Sequence, residues 1–182
     1  MGPDVRPAAT PDAGGAGRER TAYLMEMQAR GCEQLGSPFY AGLMRHAADD
    51  VRGGGVLADV LARHADDPED SALALRLFGA VHQLVLEGRA PQLDPYYPSV
   101  GGADPDPERA WPVFRLVAAQ HREAVRRLLS HPPQTNDVGR SAALLGGLLH
   151  VVARTGLAVR LYEIGASAGL NLRADHFRYE SR

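Results

Sequence analysis

The sequence predicts a mainly α-helical protein whose last segment opens a Rossmann-like α/β domain with its first βα unit. Three observations carry this expectation. Apolar residues recur at three-and-four spacing through most of the chain after residue 18. The period turns to alternation only at Val159-Arg-Leu-Tyr-Glu-Ile-Gly165. That stretch runs into the small-residue turn Ala166-Ser-Ala-Gly169 and then Leu170-Asn-Leu172. Strand, glycine turn and helix in that order form a nucleotide-binding βα unit, in which N–H groups at a helix N-terminus face the ligand and missing side chains let it approach.

Taken in order, residues 1–18 are Gly, Pro, Ala and charge without periodicity, and are expected to form a disordered tail. Residues 19–133 read as a helical domain, and residues 134–182 as the start of an incomplete Rossmann-like domain. Within the helical part, 19–35 and 38–51 form a pair broken at Gly36-Ser37-Pro38, with Phe39, Leu43, Met44, Ala47 and Val51 on one stripe. A short helix near 56–64 follows Gly53-Gly54-Gly55. The acids of Asp66-Asp67-Pro68-Glu69-Asp70 suit the start of a helix running to about Glu87, with Gly88 as its stop. Ala90 to Pro107 holds five prolines and a Gly-Gly pair and reads as a loop, with Leu93, Tyr96 and Tyr97 to pack it. Helix resumes from Pro107 to about Leu129 and ends at His131-Pro132-Pro133. The next helix, Asp137 to about Arg154, is apolar almost all round and is expected to be deeply buried, with Thr135 or Asn136 as its cap.

Composition excludes several chemistries. The 182 residues are 45% hydrophobic and 23% charged with a formal charge of -2, which speaks against holding nucleic acid or an anionic membrane mainly by charge. All 20 basic residues are Arg, so a Walker lysine, a Schiff-base lysine and a Ser-x-x-Lys pair are ruled out. A single Cys32 can form neither an intrachain disulfide nor a Cys-rich zinc site, and it fits a reducing compartment, expected to be the cytoplasm. The longest apolar stretch, Ala142 to Ala153, contains His150 and is too short to span a bilayer. The seven histidines show no HExxH or paired ligand spacing, so no metal site is expected.

The residues that point to chemistry lie around the alternating segment. Glu163 stands two before Gly165, giving Glu-x-Gly-x-x-x-Gly with Ser167 in the middle and Gly169 at the end. This looks like the first motif of S-adenosylmethionine-dependent methyltransferases, with Ser167 where the middle glycine usually stands. Gln134-Thr-Asn-Asp-Val-Gly-Arg140 and Leu161-Tyr-Glu-Ile-Gly-Ala-Ser-Ala-Gly-Leu-Asn-Leu172, with Ser37-Pro-Phe-Tyr40 and Tyr96-Tyr-Pro98 upstream, resemble the bacterial domain-of-unknown-function family 2332. The similarity covers nearly everything after the tail, with Asp137 where that family is expected to carry Glu. It implies a helical region leading into a methyltransferase-like α/β domain longer than the one present, so that the chain looks like a truncated member. It also implies an S-adenosylmethionine site in which Glu163, Gly165, Ser167 and Gly169 hold the cofactor. Activity does not come with the resemblance, and a non-catalytic helical binding or interaction module with a structural βα remnant is the alternative.

Gly165-Ala-Ser167-Ala-Gly169 also reads as the G-x-S-x-G nucleophile elbow of α/β-hydrolases. Topology opposes that reading. The hydrolase fold places strands before the elbow, whereas everything before Val159 reads as helix or loop, and its acid and His must follow the Ser, where the only candidates, Asp175 and His176, are adjacent and too near to fold back. Two sets remain open. Asn136 and Arg140 either approach the amino-acid end of a cofactor, Arg140 pairing with its carboxylate, or they cap the helix and pair with Asp137. Tyr97 either lines an acceptor pocket or pins its loop. Arg115, Arg122, Arg126 and Arg127, interleaved with Glu108 and Glu123, read as a solvated face. A lone strand would expose its edges, which invites self-association.

Overall fold

A computed structural model of the chain describes residues 13–133, 137–166 and 169–180. The chain divides into two compact units, 1–133 and 134–182.

The N-terminal unit is a helical bundle. Helices α1 (Ala13–Gln34) and α2 (Pro38–Arg52) pack along one another, joined at Gly36, whose φ of 78° makes the turn. α1 begins six residues before the expected Glu19. Its early glycines explain this: at Gly17 a side chain would start 3.2 Å from the Ala65 methyl, so the small residues let this turn lie against the chain there. α2 has Pro at its first position and buries Phe39, Leu43, Met44, Ala47 and Val51, the stripe read from the spacing. α3 (Val56–Leu61) is followed by a 3-10 turn at Ala62–His64.

The acidic run forms another 3-10 turn, Glu69–Ser71, and α4 (Leu73–Leu86) starts later than its sequence suggests. Ala72 between them is left-handed at φ 52°, and that reversal keeps the turn from continuing as helix. Gly88, at φ 67°, ends the helical run. Residues 91–96 and 98–100 make two 3-10 turns in the proline-rich stretch. α5 (Pro107–Gln120) is capped by Asp106, whose carboxylate accepts from the Glu108 N–H at 2.9 Å. The helix expected to run on to Leu129 breaks at His121, and α6 (Arg122–Leu128) follows. Met25, Leu43, Met44, Leu57, Leu77, Leu84, Leu93, Phe114 and Leu129 are fully buried, with Phe78 stacked on Phe114 at 4.8 Å between ring centres.

The C-terminal unit holds α7 (Arg140–Thr155) and a 3-10 helix at Leu170–His176 that packs on α7. Three expectations are corrected here. The described residues contain no strand and no sheet, so the Rossmann-like βα unit is absent. Val159 to Glu163 forms neither helix nor strand: a strand needs a neighbour for its N–H and C=O groups, and no segment pairs with it among the described residues. The strand-mediated self-association falls with it. α7, expected to be deeply buried, buries only Ser141.

Candidate functional site

The sequence-predicted loop keeps part of its expected form without the sheet. Gly165 and Gly169 are both left-handed, at φ 71° and 70°, and no described atom lies within 4 Å of where a side chain would begin at either. The Gly169 N–H donates to the Ala166 carbonyl at 2.7 Å, closing a tight turn just before the 3-10 helix. Glu163 folds back over this turn, its Oε1 accepting from Asn171 Nδ2 at 3.4 Å. Its other carboxylate oxygen is buried with no partner among the described residues. Ser167 and Asn136, and with Asn136 the proposed Thr135 or Asn136 cap, lie outside the described residues. Arg140 starts α7, its Nε donating to the Asp137 carbonyl at 3.4 Å, while the Asp137 carboxylate accepts from the Gly139 N–H at 2.8 Å. Glu163, Gly165 and Gly169 are thus brought together, whereas Tyr97 belongs to the N-terminal unit.

Tyr97 sits in a polar and aromatic cluster that the sequence spacing does not announce. His82 on α4 bridges two elements: its Nδ1 lies 3.2 Å from the Tyr40 hydroxyl on α2, and its Nε2 lies 2.8 Å from Ser99 Oγ on the second proline-rich turn. The Tyr97 ring stands 5.0 Å from the imidazole and 5.5 Å, edge-on, from Phe39. Its hydroxyl is fully buried and has no partner among the described residues. Burial acts on all three titrating groups. It lowers the His82 pKa, raises that of Tyr97, and together with the charge of Cys32 pushes Tyr40 up to about 12. The imidazole is therefore neutral near pH 7, with one ring nitrogen free to accept a proton. Ser37-Pro-Phe-Tyr40 and Tyr96-Tyr-Pro98 mark two corners of this cluster in the sequence, but nothing in the spacing ties them to His82.

A second cluster is structural. Arg76, with 9% of its side chain exposed, donates to the Leu129 carbonyl at 2.6 Å and to Asp67 at 2.7 Å, and Asp67 also meets His64 at 3.0 Å. Burial would raise the Asp67 pKa, but the hydrogen bonds from Arg76 and His64 outweigh it and hold the carboxyl below its ordinary range. Arg20 donates to the Ala65 and Asp67 carbonyls, and a groove of about 400 Å³ runs alongside. Every guanidinium here ties one chain segment to another. The Arg-rich face of α5 and α6 is likewise engaged: Arg115 pairs with Asp50, and Arg122 and Arg126 pair with Asp59.

Among the described residues no group of three or more His, Cys, Asp or Glu side chains could hold a metal ion. No helix among them is long and apolar enough to cross a membrane. Residues 22–182 match the model of a family described as uncharacterized protein conserved in bacteria, DUF2332. No curated protein and no solved structure matches the chain.

Proposed function

The chain belongs to this bacterial family of uncharacterized proteins, and from that premise we propose that it is a helical interaction module whose C-terminal unit docks on protein surface, in the first place on a second copy. The observation that carries this reading is the exposure of α7. Leu144, Leu149, Val151 and Val152 are all open, Leu149 by 59% of its surface, and Leu157 and Ile164 beyond the helix are open too. Soluble proteins rarely leave so many neighbouring large apolar groups in water unless another surface covers them. A helix that lies on a membrane keeps a polar face opposite its apolar one, whereas α7 is apolar on most sides between Arg140 and Arg154, which suits burial between protein elements. Two copies present the same unfilled surface and can satisfy each other through a two-fold contact.

Light scattering on the full chain over a hundredfold range of concentration tests this. The expected result is a mass above that of one chain that falls when Leu149→Glu places a charge in the contact. A monomer at every concentration that also binds no hydrophobic dye contradicts it.

A second reading is favoured by the glycine turn. The spare Glu163 oxygen and the open, left-handed Gly165 and Gly169 are suited to the polar methionine and ribose groups of S-adenosylmethionine, which would make the family methyltransferase-like without a sheet among the described residues. Calorimetric titration of the chain with S-adenosylmethionine checks it. Heat of binding lost in Gly165→Val supports the reading, and no heat at millimolar cofactor removes it.

A further inference from the structure

We infer that Ser99 is an activated nucleophile, with His82 as its general base and Tyr40 as the positioning residue, and that this N-terminal unit cleaves small carboxylic esters through an acyl-serine. The inference is independent of the docking surface on α7 and of the glycine turn. It starts from the order of the groups: Ser99 Oγ, His82 Nε2 at 2.8 Å, His82 Nδ1, and Tyr40 Oη at 3.2 Å. A serine hydroxyl is a weak nucleophile unless an adjacent base removes its proton, and the base must itself be held in one orientation and tautomer by a third group. The three residues come from α2, α4 and the second proline-rich turn, so the fold and not local sequence assembles them.

Three features distinguish this arrangement from an incidental hydrogen bond. The imidazole lies against the rings of Tyr40 and Tyr97, with centres 6.5 and 5.0 Å away, which restricts its orientation. Ser99 is exposed, so the oxygen that the imidazole reaches is also open to a substrate. The Tyr97 hydroxyl is fully buried without a partner among the described residues, an unspent donor on a ring whose centre lies 5.0 Å from the imidazole. Two residues beyond Ser99, Gly101 at φ 92° has no described atom within 4 Å of where a side chain would start. For an exposed serine with no acyl pocket built around it among the described residues, the substrate class we assign is an ester with a small acyl group.

The chemistry balances with water as the only co-reactant. With the imidazole proton on Nδ1 and donated to Tyr40 Oη, Nε2 accepts the Ser99 proton as Oγ bonds to the ester carbonyl carbon. The carbon–alkoxide bond then breaks and the alkoxide leaves with the proton from Nε2. A water molecule, losing its proton to Nε2, attacks the acyl-serine, and the Ser99 oxygen departs with that proton, restoring the starting state.

The test treats the full chain with a fluorophosphonate probe, locates the label by peptide mass spectrometry, and follows hydrolysis of p-nitrophenyl acetate. The expected label is on Ser99 and not on Ser167. Ser99→Ala, an exposed change that leaves the bundle intact, removes the label and brings turnover to the uncatalysed rate. His82→Asn slows labelling by about a hundredfold or more. Tyr40→Phe lowers kcat by about tenfold while KM and the melting temperature hold, a split that a merely structural tyrosine would not give. Absence of label on Ser99, or labelling that His82→Asn leaves unchanged in a variant that still melts cooperatively, overturns the inference.

Discussion

Helices α4 and α7 carry similar apolar loads and meet opposite fates. α4 buries Leu73, Leu77, Phe78, Val81, Leu84 and Val85 among its neighbours, while α7, with Leu144, Leu145, Leu148, Leu149, Val151 and Val152, buries only Ser141. Hydrophobic pattern sets how much surface a helix can bury. Burial itself needs opposing surface: within its own unit α4 packs on α1, α5 and α6, whereas α7 within its unit packs on the short 3-10 helix. The N-terminal unit thus closes a core of its own, whereas the C-terminal unit leaves α7 open.

The contrast is sharpest in truncations. Phe114→Ala empties a fully buried site stacked on Phe78 and is expected to cost about 3–5 kcal/mol, whereas Leu149→Ala removes a largely solvated side chain and should stay within about 0.5 kcal/mol in the dilute, unassociated chain. Urea unfolding of both variants measures this; equal losses would erase the distinction between the units. Next in size, Arg76→Ala leaves the Leu129 carbonyl without its side-chain donor and the Asp67 carboxylate with His64 alone, for an expected loss of about 2–3 kcal/mol in the same assay.

Smaller effects test local geometry. Ala72→Gly relieves a left-handed backbone at φ 52° and should leave stability unchanged or raise it by about 1 kcal/mol, the gain offset in part by the freer unfolded chain. Thermal melts decide it, and a clear loss would mean the Ala72 methyl matters more than its strain. The smallest expected effect is a pH dependence. Burial lowers the His82 pKa from its ordinary 6.5, so the unfolded chain takes up this proton first. The stability contributed by neutral His82 is therefore complete above pH 6.5 and lost as pH falls through the lowered folded value. His82→Gln should flatten the melting-temperature profile in that acidic window, and an unchanged profile would show that His82 does not set it.

How far the sequence revealed this can be read off particular residues. The break at Gly36-Ser37-Pro38, the α2 stripe and the Asp106–Pro107 start of α5 are local patterns, and local physics decides them. The βα unit was misread because Val159 to Gly165 has strand-like alternation, yet pairing is a property of two segments and the second is missing among the described residues. α7 was misread for the same reason, since an apolar helix is buried only where something faces it. The turn at Gly165 and Gly169 was legible because left-handed backbone favours glycine. The Tyr40–His82–Ser99 cluster was not, since its members stand 42 and 17 residues apart and meet only through packing.

Amide hydrogen exchange along the full chain at low micromolar concentration tests the division between a closed core and an uncovered unit most directly. The account predicts strong protection through α2, α4 and α5 and fast exchange from Arg140 to His176, with protection of α7 rising as concentration increases. Protection of α7 equal to that of α4 in the dilute chain, unchanged by concentration, would contradict it.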